Sequence, residues 1–309
     1  MKTLIHIDTP TQMPLESNFP IQGWIISPDD IQKIWVDPDI GLSFVPRSDV
    51  QSAHPNYPYT KGFIGKGYQH NLQQNNLVLH YRLSSGEFSH TITLQPLPPS
   101  PFVNIFESNF RLPPKVCIVA PGPNGKKHYH EIPMDFSVIA VNKAVLISEI
   151  KVDIWILNQM TPVVQQWYNE ADAKFKGTRI FRYSAAVTMP PSKVNNGYSF
   201  RTVTAPGEQL YPTICKPIDG IIRGGGSITA CAIQLAYNFG ASEILLCGVD
   251  MSGDGYWDNT LNVQDSHGET WAASAKINFL IRWLTEERDI KISTLSPTKL
   301  DVPEYQPKH

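Results

Sequence analysis

Six short runs of almost uninterrupted apolar residues follow one another between residues 115 and 296. Runs of this kind are typical of strands buried on both faces, because a strand with one solvated face alternates apolar with polar residues. The runs are KVCIVA, FSVIAVN, VDIWILN, TRIFRYS, SEILLCGVD and IKISTLS. Helical patterns lie between some of them, notably at residues 227–239 and 269–288. The alternation predicts an α/β fold with a doubly wound, mostly parallel, Rossmann-like sheet.

Residues 1–105 have a different pattern. Short runs rich in β-branched and aromatic residues, such as FPIQGWIIS and NLVLHYRLS, are separated by turn sequences such as SPDD and SSGE. We therefore expect a small all-β sandwich that precedes the α/β domain. Six prolines between residues 94 and 114 indicate a stiff connection. The predicted organisation is a sandwich at 1–105, a linker at 106–114 and the α/β domain at 115–309.

Composition excludes several classes of function. The chain has 26 Lys and Arg against 28 Asp and Glu and no basic block, which argues against a nucleic-acid-binding protein. No apolar run approaches the ~20 residues of a transmembrane helix or has the form of a signal peptide. The four cysteines are scattered, so we expect free, buried thiols. These features predict a cytoplasmic protein, with a peripheral position at the inner membrane face as the alternative, and leave its oligomeric state open.

Polar residues or glycines follow five of the six apolar runs. In an open parallel sheet, ligands bind beyond the carboxyl ends of the strands, so these residues together outline a candidate binding site. Each one alone is also ordinary turn chemistry. The candidates are Gly122, Pro123 and Asn124 after the first run, Asn142 after the second, Asn158 after the third, Asp250 after the fifth and Ser296 after the last.

The stretch IIRGGGSITACAIQL, residues 221–235, places an arginine and three glycines directly before a helical pattern. Ser227 is a suitable N-cap residue, and Gly225 and Gly226 leave the first-turn N–H groups uncovered. Such donors, together with the helix dipole, favour an anion such as a phosphate, and Arg223 adds a positive charge. The alternative is an ordinary capped helix behind a glycine-rich turn. Neither a Walker A motif nor a G-x-G-x-x-G fingerprint is present.

The segment GVDMSGDGYWDNTLNVQDSHGETW, residues 248–271, is rich in acidic and aromatic residues. A loop of this length in a compact domain is typical of a functional lid or of a disordered segment. His267 is a candidate catalytic residue, because histidine suits proton transfer near neutral pH, and Asp250 and Tyr256 of the same segment are further candidates. The alternatives are a surface histidine that helps to cap a helix and a solvated acidic loop. The spacing fits no zinc or EF-hand pattern, so no metal ligands are predicted.

Residues 115–300 resemble the Rossmann-like bacterial sialyltransferases of glycosyltransferase family 42. More broadly, they resemble the flagellin-accessory and pterin-pyrophosphokinase-related domains that share this core. The stretches IVAPGPN, VNKA, IIRGGGSITACAIQLAYNFGASEILLCGVDM and SHGETWAASAKINFLIRWL carry the resemblance. The sialyltransferase resemblance implies an inverting glycosyltransferase without a required cofactor. Such an enzyme transfers sialic acid or a Kdo-like sugar from a CMP-sugar donor to a glycan acceptor.

Site roles follow from this resemblance by position. Asn142 would contact the cytidine ribose or phosphate, and Ser227 with the preceding glycines would hold the nucleotide phosphate. Tyr256 would stabilise the departing phosphate, while His267 would be the general base. Pro121 replaces an asparagine of the family motif, so one expected side-chain hydrogen bond to the substrate is lost.

The first domain has a resemblance of its own. The stretch VPRSDVQSAHPNYPYTKGFIG, residues 45–65, resembles part of the immunoglobulin-like modules that precede transferase domains in bacterial surface-polysaccharide pathways. This implies that the module holds an acceptor glycan, with Trp24, Trp35 or Tyr81 as stacking platforms. The alternative is that these three are core aromatic residues.

Two further functions remain open from the sequence. The first is a Mg²⁺-dependent pyrophosphokinase of the pterin type, favoured by the shared core and the acid-rich loop, with AMP as its product. The second is a nucleotide- or glycan-binding protein without catalysis, favoured by the lost asparagine at Pro121.

Overall fold

The structure is a computed structural model that describes residues 2–10, 18–36, 40–68, 72–73, 76–96, 100–160, 162–188, 197–202, 221–222, 227–252, 255–258 and 267–307. The chain divides into two compact units, Met1–Pro98 and Pro99–His309. None of the helices in the described part of the chain has the length and apolar composition needed to span a lipid bilayer.

The first unit is built from antiparallel sheets. Its described elements are β1 (Leu4–Thr9), β2 (Asn18–Ser27), β3 (Ile31–Val36), β4 (Ile40–Gly41), β5 (Ser43–Val45), α1 (Ser48–Ala53), β6 (Tyr59–Tyr68), β7 (Leu72–Gln73), β8 (Asn76–Leu83) and β9 (Gly86–Thr93). One sheet has the order β1-β2-β6-β5, and the other has the order β4-β3-β8-β7 with β9 paired to β8. Ile25 of the first sheet and Ile34 of the second belong to one buried cluster, so the unit has a single apolar core between its sheets.

The second unit has a parallel sheet flanked by helices. Its elements are β10 (Val103–Asn104), β11 (Lys115–Val119), β12 (Ser137–Val141), β13 (Ile154–Leu157), α2 (Pro162–Lys174), β14 (Thr178–Arg182), α3 (Tyr183–Thr188), β15 (Gly197–Thr202), β16 (Ile221–Ile222), α4 (Ile228–Asn238), β17 (Glu243–Cys247), α5 (His267–Arg288) and β18 (Lys291–Thr294). The strand order is β10-β15-β14-β13-β12-β11-β17-β18, with β16 paired to β15. All of these pairs are parallel, which confirms the predicted α/β fold class.

The strand order reverses between β11 and β17. From β11 the chain adds β12 to β15 on one side, and it then returns through α4 to place β17 and β18 on the other side. Helix α4 packs against β11, β12 and β13, and it therefore covers the centre of the sheet. Loops that leave two neighbouring strands in opposite directions open a crevice at the carboxyl edge. The fold thus favours a ligand site beyond the ends of β11 and β17.

The stretch that we expected to be a linker lies within the second compact unit. Leu112 is buried in the same apolar cluster as the central strands, and its N–H donates to the carbonyl of Phe239 at 2.8 Å. Ile105, just before this stretch, is also fully buried there. The division of the chain into independently folding domains stays a prediction.

Candidate functional site

The loop after β11 packs directly on the loop after β17. The N–H of Gly122 donates to the carbonyl of Gly248 at 2.9 Å, and a Cβ on Gly122 would lie 2.4 Å from that oxygen. Gly248 itself has a φ of 69°, in the left-handed region that favours glycine. The space beside Gly122 is therefore filled by protein, since the backbone of Gly248 and the carboxylate of Asp250 occupy it. The glycine allows the two loops to meet.

Asp250 is the buried carboxylate of this site, with 5% of its surface exposed. Its Oδ2 accepts a hydrogen bond from the backbone N–H of Asn124 at 2.7 Å, at the start of a 3-10 helix formed by Pro123–Lys127. The side-chain amide of Asn124 in turn donates to the carbonyl of Pro297 at 3.2 Å. A charge-assisted bond of this kind stabilises an ionised carboxylate. Asp250 thus joins the loops that follow β11, β17 and β18.

Ser296 hydrogen-bonds to the loop after β17. Its Oγ accepts a hydrogen bond from the N–H of Gly248 at 2.8 Å, and the residue is 1% exposed. Thr298 donates from its hydroxyl to the carbonyl of Val249 at 2.5 Å. Because these hydroxyl groups bond to the backbone of the loop after β17, the contacts of Ser296 hold that loop in place. The sequence pattern had suggested Ser296 as a ligand contact, and that role stays a prediction.

Asn142 and Asn158 lie together at the ends of β12 and β13. The side-chain oxygen of Asn142 accepts a hydrogen bond from the N–H of Asn158 at 3.4 Å. The carbonyl of Asn142 accepts another from the indole N–H of Trp155 at 3.0 Å. Asn142 has a φ of 49°, a left-handed conformation that asparagine adopts more readily than most residues. These bonds fix the direction in which the chain leaves β12.

Residues 255–258 contact both the loop after β11 and the end of β12. The N–H of Trp257 donates to the carbonyl of Pro121 at 2.9 Å, and Asp258 forms an ion pair with Lys143 at 2.6 Å. The Lys143 ammonium also lies 5.8 Å from the ring centre of Tyr256. Lys143 was not predicted from the sequence as a site residue. The one signal available was its position beside Asn142, directly after an apolar run.

The buried groups beneath the loops are uncharged near neutral pH. Burial, with a smaller contribution from the nearby charge of Asp250, raises the pKa of the Cys247 thiol to about 12. Burial also raises the pKa of the Tyr129 hydroxyl well above its usual value, again with contributions from Cys247 and Asp250. Cys117 is likewise a free, buried thiol, and Cys231 is also buried, as expected from their apolar surroundings.

Several other candidate residues lie at the limits of the described chain or beyond them. Ser227 precedes α4 as its N-cap residue, but its side chain makes no capping hydrogen bond. Arg223, Gly225 and Gly226 lie outside the described residues. His267 begins α5, and the described part of the chain does not include its side chain. Their participation in a site stays a prediction.

The site can be tested against the needs of a metal ion. Among the described residues, no group of three or more His, Cys, Asp or Glu side chains is arranged to hold a metal. Mg²⁺, however, is usually bound by one or two carboxylates together with substrate phosphates. Asp250 supplies one carboxylate at this edge of the sheet, and it is 5% exposed. The described residues thus form no all-protein cage, and a Mg²⁺ ion held by Asp250 would need its other ligands from a substrate.

Comparison with known proteins gives one match. A family model described as 6-hydroxymethylpterin diphosphokinase MptE-like matches residues 90–254, which include β10 to β17 and α4. No curated protein and no solved structure matches the chain. The match covers the loops that carry Gly122, Asn142 and Asp250.

This match corrects the sequence analysis. The expected membership of the bacterial sialyltransferases is wrong, and the expected glycosyl transfer from a CMP-sugar to a glycan rested on it. The two groups of enzymes share the Rossmann-like core, and the stretches that suggested a sialyltransferase are largely those that build the core. A diphosphokinase is a transferase, so the coarser expectation of a transferase agrees with the match. The pterin-type alternative is the better supported one.

Proposed function

Because the chain belongs to the 6-hydroxymethylpterin diphosphokinase MptE-like family, we propose that it is a nucleoside-triphosphate-dependent diphosphotransferase. The observation that carries this proposal is the position of Asp250, a buried carboxylate beyond the ends of β11 and β17, where the strand order reverses. Crevices at this position of open α/β sheets commonly bind nucleotides.

The proposed reaction transfers two phosphoryl groups together. The oxygen of an acceptor hydroxyl forms a bond to the β-phosphorus of ATP, and the bond from that phosphorus to the oxygen shared with the α-phosphate breaks. AMP leaves with that oxygen, and the proton of the hydroxyl passes to a base or to water. Mg²⁺, when bound with the nucleotide, neutralises part of the phosphate charge, and Asp250 is the residue that would hold it.

The family description also suggests the acceptor, a planar pterin ring with a hydroxymethyl group. A half-buried aromatic side chain supports such an acceptor, since Tyr256 lies at the carboxyl edge beside Lys143. Aromatic rings stack on flat heterocycles through offset contacts. The proposed acceptor class is therefore a flat heteroaromatic primary alcohol.

A product assay tests the proposal. The purified chain is incubated with ATP, Mg²⁺ and 6-hydroxymethylpterin, and the products are separated by ion-exchange chromatography. We expect AMP and a pterin diphosphate in equal amounts, and no product in the presence of EDTA. The appearance of ADP instead of AMP would indicate transfer of one phosphoryl group and would contradict the proposal. Nucleotide binding without any turnover, across pterins and several nucleoside triphosphates, would favour a binding protein.

A further inference from the structure

An ion pair at the carboxyl edge of the sheet joins Lys143, after β12, to Asp258, in the segment that follows β17. The ammonium of Lys143 lies 2.6 Å from Oδ2 of Asp258, and the two side chains are 13% and 31% exposed. The same ammonium lies 5.8 Å from the ring centre of Tyr256 and 5.6 Å from that of Trp257. A mostly buried lysine is thus held by a carboxylate and two aromatic rings at the edge where the nucleotide is proposed to bind.

Hydrogen bonds fix the backbone beside Lys143. Lys143 follows Asn142, whose carbonyl and side-chain oxygens accept hydrogen bonds from Trp155 and Asn158. Strand β12 neighbours β11 in the sheet. Lys143, which follows β12, therefore lies one strand away from the loop after β11 that contacts Asp250.

Asp258 belongs to a different part of the chain. Residues 255–258 follow β17, and the N–H of Trp257 attaches them to the carbonyl of Pro121. Trp257 also packs against the buried cluster that contains Val119 and Cys247. The backbone beside Asp258 is therefore anchored independently of Lys143, and the ion pair can open without release of this anchor.

We propose that Lys143 binds the polyphosphate of the nucleotide and that Asp258 occupies the same position on the ammonium when no nucleotide is bound. The ligand class rests on the proposed function. A lysine ammonium is a compact charge with three donors, and it donates to a carboxylate oxygen or a phosphate oxygen in the same way. A polyphosphate carries more charge than one carboxylate and replaces it on the ammonium.

A purely structural role for the ion pair predicts a different result. If the pair only fastened residues 255–258 to the end of β12, loss of either partner would open the site and weaken nucleotide binding equally. In the exchange that we propose, Lys143 is a ligand and Asp258 is its competitor. Loss of Lys143 then weakens binding, whereas loss of the Asp258 charge strengthens it. The two explanations differ in sign at Asp258.

Isothermal titration of the full chain with ATP, with inorganic tripolyphosphate and with adenosine tests the inference. Lys143→Met should weaken the binding of both polyphosphates about tenfold, the equivalent of one charge-assisted hydrogen bond, and should leave adenosine binding unchanged. Asp258→Asn should tighten polyphosphate binding by at least about threefold, because the competing state of the lysine is removed. Equal weakening by both variants, or no change in either, overturns the inference.

Lys115 and Asp135 provide the matched control. They form an ion pair with the same 2.6 Å separation, at the amino edge of the same sheet. Lys115→Met and Asp135→Asn should leave all three affinities unchanged. If Lys143→Met does not fold, the sign of the change in Asp258→Asn alone decides the question.

The inference and the proposed function can fail separately. Lys143-dependent binding of tripolyphosphate in a chain that forms no pterin diphosphate would support the inference and contradict the proposed acceptor. Turnover of the pterin together with equal weakening by both variants would do the reverse.

Discussion

Asp250 has a structural part in this site, to which the proposed function adds a chemical one. Its Oδ2 accepts the N–H of Asn124, and its backbone carbonyl accepts the N–H of Lys299 at 3.1 Å. The sequence identified the residue because it follows a buried strand. The sequence did not reveal the bond to Asn124, because the two residues lie 126 positions apart. Contacts between distant loops depend on strand order, which no local pattern specifies.

Replacing Asp250 by asparagine should separate the two parts. The amide oxygen of asparagine can still accept the N–H of Asn124, so we expect the fold to persist. The loss of negative charge removes the proposed Mg²⁺ ligand, and we expect the rate of AMP formation to fall by roughly 100-fold, a loss of about 2.7 kcal/mol of transition-state stabilisation. Steady-state kinetics over a range of Mg²⁺ concentrations measures the effect.

The control for this variant is the same change at an exposed position. Asp135, 58% exposed, pairs with Lys115 at the amino edge of the sheet, and Asp135→Asn should keep full turnover. An Asp250→Asn protein that retains wild-type turnover would remove the carboxylate from the proposed chemistry.

At the scale of the elements, the sequence predicted those helices and strands whose pattern lies within their own residues. Helix α4 begins after Ser227 and ends at Asn238, because its apolar residues recur at helical spacing and Gly240 follows the C-cap residue Phe239 with a φ of 108°. The six apolar runs correspond to β11, β12, β13, β14, β17 and β18. Strands β10 and β16 have two residues each, too few for any period, and β15 has the mixed sequence GYSFRT. Their places come from pairing within the sheet.

Helix α2 was also missed, and a buried ion pair attaches it to β14. Arg179 is 0% exposed and contacts the carboxylate of Asp172 through Nη2 at 2.9 Å. The same Nη2 donates to the carbonyls of Asp172 and Phe175, each at 3.0 Å. Because a buried charge without its partner is costly, the attachment of α2 depends on both members of the pair.

Removal of one member should therefore destabilise the protein strongly. We expect Asp172→Asn to lower the free energy of unfolding by about 3–5 kcal/mol, since the guanidinium of Arg179 stays buried without its counter-charge. Urea unfolding measures the change. On the same helix, the exposed pair of Glu170 and Lys174 is the control, and Glu170→Gln should cause no measurable shift of the unfolding midpoint. Similar small shifts in both variants would mean that Arg179 is solvated or finds another acceptor.

At the scale of the whole molecule, the two compact units differ in what is known of them. The family match covers residues 90–254, and it includes little of the first unit. Within that unit, the guanidinium of Arg47 forms ion pairs with Asp8 and Asp49 at 2.8 Å each. Arg47 and Asp49 of the stretch 45–65 therefore have a structural contact. Trp24 and Trp35 stack against His6 and His80, with ring centres 5.4 and 5.5 Å apart. The suggested glycan-stacking role of these aromatic residues stays a prediction.

The contacts that build the candidate site all join residues between Pro121 and Lys299, so they lie within the second unit. We therefore expect a fragment of residues 99–309 to fold by itself and to bind ATP with the affinity of the full chain. Circular dichroism reports its folding and isothermal titration its affinity. The fragment of residues 1–98 is the matched control, and it should fold as a β-protein without affinity for ATP. A folded 99–309 fragment that binds ATP tenfold more weakly would show that the first unit contributes to the nucleotide site.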